Sequence, residues 1–287
     1  MSEENMDHLL ELTKQQKDFA ATYLNEFDVE RDKCIEQVLN WVKSNDDRHT
    51  RTDKFFIVRF LRSCKFDVDK AKLKLRKYHE QRAVSPEWFT NRDPFFPELQ
   101  ELLDLGIFLP LRQVDEEGRL IVIVRACVHD PKKHKLSDFL KVSMMLLDLA
   151  VRDHVSSSLY GIVAIHDMTG VQLGHALQIT PTIISRLVDL WQSYPIRIRS
   201  IDYVNAPTHV NLVLNMFKQF MSKKLKERMH VHQGDGRMII KKISMGVLPY
   251  ELGGTEENYE LLTRYWKKLA EDNQQWFFED EKYKMKI

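Results

Sequence analysis

The chain has 287 residues, 43% of them apolar and 10% aromatic, with only 10 Gly and 9 Pro. That composition excludes a largely disordered or collagen-like chain. The 43 basic and 42 acidic residues leave a formal net charge of +1. Whole-molecule attraction to nucleic acid or to a membrane is therefore not expected, and any such attraction must come from a local patch.

In chain order, the first segments are rich in helix formers. "KQQKDFAATYLNEF", "DVERDKCIEQVLNWVKSN" and "TDKFFIVRFLRSCKF" place apolar residues at spacings of three and four. In the second, Cys34, Ile35, Val38, Leu39 and Val42 form a stripe. "DVDKAKLKLRKYHEQR" follows, with Asp67 as N-cap and Ala71, Leu73, Leu75 and Tyr78 as the apolar side. Met1 to about Arg92 reads as a small helical unit, and residues 93–287 as a second unit.

After "NRDPFFPEL" the pattern changes. Arg119–Val128, "RLIVIVRACV", is short, apolar and β-branched, which predicts a buried strand. A helix is expected over "LSDFLKVSMMLLDLAVRDHV", then a strand over Tyr160–Met168, then a helix over "TPTIISRLVDLWQSY" with Pro181 in its first turn. "RIRSIDYVNAP" predicts a third strand, and Arg237–Ile243, "RMIIKKI", a fourth. "NYELLTRYWKKLAED" reads as a closing helix. Strands alternating with helices imply an α/β sheet with parallel pairs.

Cys34, Cys64 and Cys127 are far apart and form no CxxC pair, so neither a disulfide framework nor a zinc module is expected. The start, "MSEENMDHLLEL", lacks the basic and apolar regions of a signal peptide, and no run approaches the ~18 uncharged apolar residues of a membrane span. A reduced, cytosolic protein is the expectation.

Catalytic signatures such as GxSxG, GxGxxG, GxxxxGK[ST] and HExxH are absent from the sequence. His230 and His232 form an H-x-H pair beside Asp235, readable as metal ligands or as surface histidines next to a "QGDG" turn. His166 and Asp167 end the second strand, where α/β sheets often place site residues, with Ser156–Ser158 nearby in sequence. No motif places a nucleophile.

The segment Asn211–Arg228, "NLVLNMFKQFMSKKLKER", joins a greasy helix to a charge cluster. Its polar residues Asn211, Asn215, Lys218/Gln219 and Ser222 make one narrow stripe. Val210, Leu212, Val213, Leu214, Met216, Phe217, Phe220 and Met221 fill the rest, a wider arc than one sheet contact requires. Two readings stay open here: a buried core helix, or a helix that covers a cavity with one face and meets something apolar with another. Beyond it, Lys223, Lys224, Lys226 and Arg228 are offset only by Glu227, and Arg197 and Arg199 stand two apart on an extended chain. They are either a solvated surface or, if they converge, an anion site suited to phosphates.

"FFIVRFLRSCKFDVDKAKLKLRKYHEQR", "AIHDMTGVQLGHALQITP", "YPIRIRSIDYVNAP", "FKQFMSKKLKERMHVH" and "LPYELGGT" occur in this order. Across roughly residues 30 to 265 the chain resembles the CRAL-TRIO (Sec14-like) lipid-transfer proteins, most of all the tocopherol-transfer and retinaldehyde-binding branch. The resemblance implies an α/β fold: a helical N-terminal lobe, then a mixed sheet with helices around a lipid pocket closed by a helical lid. It implies pocket residues Leu140, Ser143, Leu147, Ile162, Ala164, His166, Ile179, Leu187 and Ile201, and lid residues Val210, Val213, Leu214, Phe217, Phe220 and Met221. Ile162, Ala164 and His166 alternate, so one strand face lines the pocket. A buried imidazole needs a hydrogen-bond partner, from a ligand hydroxyl or carbonyl, or from protein or water.

For phosphoinositide headgroups the resemblance implies Arg197, Arg199, Lys224 and Arg228; a further basic position of the branch is occupied here by Cys64, with Lys65 one residue on. No catalytic residue, metal or cofactor is implied. The expected function is a monomeric, non-enzymatic carrier of a small hydrophobic lipid, tocopherol-, retinoid- or isoprenoid-like, that exchanges it at anionic membranes. The alternative is a lipid-sensing regulator or scaffold that delivers no cargo. Nucleic-acid binding is not expected.

Overall fold

The computed structural model describes residues 7–44, 49–208, 210–232, 239 and 241–284. Its first part is helical: α1 (Lys14–Leu24), α2 (Asp28–Ser44), α3 (Lys54–Ser63), α4 (Val68–Val84), α5 (Pro86–Phe89) and α6 (Pro97–Leu105). The sequence sets where these helices start. Thr13 and Gln16 make a capping box ahead of α1, the Asp53 carboxylate accepts from Phe56 N at 2.8 Å, and Asp67 accepts from Lys70 N at 3.1 Å. Every residue of α3 from Phe55 to Arg62 is buried, so α3 is the rod around which α2 and α4 pack. Leu73, expected on the apolar side of α4, is 51% exposed; Ala71, Leu75 and Tyr78 carry the packing.

The second part is a five-stranded sheet in the order β1 (Phe108–Val114), β2 (Leu120–Val124), β3 (Ile162–Asp167), β4 (Ile198–Val204), β5 (Met229–Val231). The β1·β2 pair is antiparallel and the others are parallel. Three strands fall where hydrophobic runs predict them. β1 was not expected: it carries Pro110 and has polar Arg112 and Gln113 just before its last residue, Val114, a pattern tolerated only at a sheet edge. The last parallel strand is β5 rather than Arg237–Ile243. Of that segment, residues 237, 238 and 240 lie outside the described residues, and residues 241–243 form no strand.

Parallel neighbours require crossovers. From β2 to β3 the chain runs through α7 (Leu136–Asp153) and α8 (Val155–Leu159); from β3 to β4 through α9 (Leu173–Leu177) and α10 (Pro181–Ser193). From β4 to β5 it runs through α11 (Val210–Phe220) and α12 (Lys223–Lys226). α13 (Tyr259–Asp272) and α14 (Gln274–Asp280) close the fold. α7 is buried without a break from Phe139 to Arg152, which marks it as an interior helix.

A buried ionic network ties the parts together. Arg92, fully buried, donates to Asp148 of α7 at 2.9 Å and to Asp280 of α14 at 2.6 Å. Arg82 of α4 donates to Asp280 at 2.7 Å, and the Tyr194 hydroxyl donates to Asp148. Among the described residues, no helix is long and apolar enough to cross a membrane.

Candidate functional site: an apolar cavity and a basic rim

One face of the sheet and helices α7, α9, α10 and α11 enclose a cavity of about 610 Å³. Pairing register explains its wall. Leu120–Ile162–Ile198, Val122–Ala164–Ile201 and Val124–His166–Tyr203 form three rows across the strands. β4 keeps its face in register through an irregularity: Ile162 pairs with Ile198, but Val163 pairs with Ser200, leaving Arg199 as the extra residue. Ile196 and Ile198 before that bulge, and Ile201 and Tyr203 after it, all reach the cavity.

Each expected wall residue, Leu140, Ser143, Leu147, Ile162, Ala164, His166, Ile179, Leu187 and Ile201, lies on this cavity. So do Val210, Val213, Leu214 and Phe217 of α11. Phe220 and Met221 lie off the wall: Phe220 is 40% exposed, and Met221 is buried in the core beyond it. Leu212 stands at the mouth, on the wall yet 72% exposed. α11 thus seals the cavity with one side and shows apolar surface outward with another.

Among the described lining residues none is Asp, Glu, Lys or Arg. The polar groups are few. Ser143 Oγ donates back to Phe139 O at 2.8 Å. Gln178 donates its amide to Pro131 O and His134 O, so its Oε1 faces His129 Nε2, which carries the proton at 3.1 Å. His175 Nδ1 accepts from Gln172 N at 3.0 Å, so Nε2 donates to His129 O at 3.0 Å. These contacts hold the loop after β2 against α9, with the protein satisfying most of its own polar atoms.

His166 differs. Burial pushes its pKa down to about 4 against the attraction of Asp202, so it is neutral at physiological pH. Its ring stacks on Tyr203, centroids 4.7 Å apart, and lies 6.5 Å from Trp191. Trp191 in turn stacks on Phe217 of α11 at 5.8 Å with 12° between planes. Among the described residues nothing hydrogen-bonds the His166 imidazole. Trp191 and Tyr203 are wall residues that no motif of the sequence marks. Both signals existed: Trp191 is four residues beyond Leu187 on α10, and Tyr203 two beyond Ile201 on β4.

The basic residues gather at the opposite, N-terminal ends of β3 and β4. Gly161, with φ +99°, makes the space: a Cβ there would lie 2.4 Å from Arg197 O and 2.7 Å from Arg199 Cγ. Arg197 Nη1 donates to Leu159 O at 2.8 Å, and Arg228 Nη1 donates to Ile198 O. Burial, then Arg199 and Arg228, pushes the Arg197 pKa down to about 10. Burial lowers the Lys224 pKa too, followed by Arg228, Arg197, Lys65 and Arg199. Of the expected cations, Arg197, Arg199, Arg228 and Lys65 are therefore each close enough to Lys224 to repel it. Cys64 caps α3 beside them with its thiol protonated, burial having raised its pKa.

The other candidates for chemistry are engaged in structure. Asp167 accepts from Thr169, from Asn205 at 2.9 Å and from Tyr259 at 3.3 Å. Ser158 accepts from Arg62 Nη1 at 3.0 Å, and Ser157 donates to His154 O at 2.8 Å. His232 pairs with Asp202 at 2.7 Å, which Lys242 also reaches at 2.8 Å. Asp235 lies outside the described residues, and among those described no group of three metal-binding side chains occurs.

Residues 106–254 match the CRAL/TRIO domain family, and residues 27–99 match the Pinta-like, UBA domain family. The alpha-tocopherol transfer protein-like protein of Homo sapiens is 29% identical over 221 residues, covering 77% of this chain and 63% of that protein. Clavesin-1 of Xenopus laevis is 27% identical over 231 residues, covering 80% of this chain and 69% of that protein. The solved structure of Sfh5 superposes with a TM-score of 0.58 at 14% identity, covering 89% of this chain and 100% of that one, a likeness of fold. The chain spans 63% of the length of the human relative.

Proposed function

The chain belongs to the CRAL/TRIO domain family, and on that premise we propose that it is a non-enzymatic carrier. It holds one small uncharged lipid of tocopherol, retinoid or similar isoprenoid type in the cavity and exchanges it at membranes that contain phosphoinositides. The observation that carries this reading is the course of α11: its inner face walls a cavity whose described lining residues carry no charge, and its end runs into the basic rim. The name of the human relative, alpha-tocopherol transfer protein-like, agrees with it.

The physics of cargo supports a closed pocket. A ligand with a dozen buried CH₂ groups gains about 10 kcal/mol over water, at ~0.8 per group. Such a ligand leaves a bilayer slowly unless a shielded path exists, and a helix that opens at the membrane supplies one. Four convergent cations add up to about 4 kcal/mol on an anionic surface, at ~1 each. That is enough for docking and weak enough for release. That none of the described lining residues is charged argues for an uncharged ligand, because a buried carboxylate or phosphate without a partner is costly. His166 would serve as the partner for a ligand hydroxyl or carbonyl.

The test is the double variant Arg197→Glu/Arg199→Glu. Transfer of a fluorescent lipid to phosphoinositide vesicles is expected to fall at least about tenfold, since two reversals alter the rim by several kcal/mol. Affinity for the lipid in solution is expected to stay unchanged. Equal loss of both would remove the docking role. Binding without net vesicle-to-vesicle transfer by the unaltered protein would favour a lipid-sensing regulator. Native mass spectrometry of the purified protein identifies the cargo.

A further inference from the structure

We propose that Lys74 is a phosphate-binding residue of the basic rim, standing in for the basic side chain that the family resemblance would place at Cys64. The inference rests on the carrier reading above and adds a residue to its docking site.

Lys74 sits on α4, ten residues beyond Cys64, yet the fold returns it to the same place. Its Nζ donates to Ile196 O at 3.4 Å, in the loop one residue before Arg197. It also lies within electrostatic reach of the Cys64 sulfur and the Lys224 ammonium. It therefore bridges the α3–α4 turn, the start of β4 and α12, the three pieces that border the rim.

Its environment is that of a ligand-binding cation. Lys70 pairs with Asp67 and Lys72 with Asp69, each within one turn. Among the described residues Lys74 has no carboxylate partner, only a backbone carbonyl. A lysine that covers a helix with its stem normally carries its head out to water; this one turns inward and is half-buried. An ammonium withdrawn from water without a counter-ion costs free energy that an incoming anion returns. Burial pushes its pKa down to about 8, reinforced by Lys224. Lys65 is the weaker substitute, because it is exposed in a left-handed turn with φ 55° and remains hydrated.

The probe is phosphatidylcholine vesicles with and without phosphatidylinositol bisphosphate, with soluble inositol trisphosphate as a second arm. Lys74→Met is expected to weaken binding about fivefold in both phosphate-bearing arms, the value of one surface cation, and to leave phosphatidylcholine binding unchanged. Lys74→Arg keeps the charge and is expected to keep the affinity. The unaltered protein is expected to lose affinity as pH rises through about 8, whereas Lys74→Arg does not. Cys64 and Lys224, the titratable groups facing Lys74, are the same in both proteins. Unchanged binding by Lys74→Met, while Arg197→Glu/Arg199→Glu loses it, overturns the inference and leaves the carrier reading intact. No loss in the double variant removes the docking reading itself. Loss by Lys74→Met and Lys74→Arg alike, or loss on vesicles but not with inositol trisphosphate, also overturns the assignment.

Discussion

At the residue scale, His166 is the most informative side chain. A lysine or glutamate at that depth would need a partner to survive; an imidazole can simply stay neutral. Its folded pKa of about 4 lies below the ordinary 6.5, so the unfolded chain binds the extra proton first as pH falls. The sign follows: stability attributable to His166 is fully present above about 6.5 and is lost as pH falls towards 4, up to ~3 kcal/mol at ~1.4 per unit. His166→Phe is expected to flatten that part of the stability–pH curve in denaturant unfolding. An unchanged acid slope would mean that the imidazole is solvated in the cavity. His166 and its neighbours Ala164 and Ile162 were legible as a two-residue alternation on β3. Lys74 was not: its key contact is to a residue 122 positions away, and no local pattern encodes that closure.

At the element scale, α11 is both wall and crossover. Because β4 and β5 are parallel, the chain must return along the sheet between them, and α11 is that return. α11 therefore runs from the His166 end of the strands back to the basic rim. The strand that follows it, β5, has three residues and, among the described residues, pairs with β4 alone. Val210, Leu214 and Phe217 hold α11 against the core, so its opening would have to break that packing. The stack of Phe217 on Trp191 is its main aromatic contact with α10. Phe217→Ala is expected to cost the closed form about 3 kcal/mol, the low end for a buried aromatic. Faster amide hydrogen exchange over α11 than over α7, and a shorter ligand residence time, would report it; equal exchange in the two helices would show that α11 is an ordinary core helix. The width of its apolar arc was legible in the sequence, and so was the basic tail. β1 and β5 were not, because Pro110 and the shortness of Met229–Val231 mute the usual alternation.

At the scale of the whole molecule, the helical lobe and the sheet are joined by charge as well as by apolar packing. The boundary expected at Arg92 falls on a residue whose guanidinium links α7 to α14. Asp280 receives Arg92, Arg82 and Arg51, at 2.6, 2.7 and 3.4 Å. Burial opposes its ionisation, but Arg82, Arg92 and Arg51 override burial and hold the carboxyl well below the usual range. A buried ion pair adds little over a well-packed apolar pair, yet removing one partner strands the others. Asp280→Asn leaves the fully buried Arg92 and the buried Arg82 facing a neutral amide, with Asp148 against both and Glu281 at 4.0 Å from Arg92 as the remaining carboxylates. The expected cost is about 3–5 kcal/mol. The location of the cost matters more than its size. Arg51 and Arg82 belong to the helical lobe, whereas Asp148 lies in the crossover that walls the cavity. If the network is what couples them, the unaltered protein unfolds in one denaturant transition by near- and far-ultraviolet circular dichroism. Asp280→Asn then separates the two signals, with the near-ultraviolet change coming first. A variant that is merely less stable, with both signals still coincident, would show that apolar packing alone makes the two parts one cooperative unit.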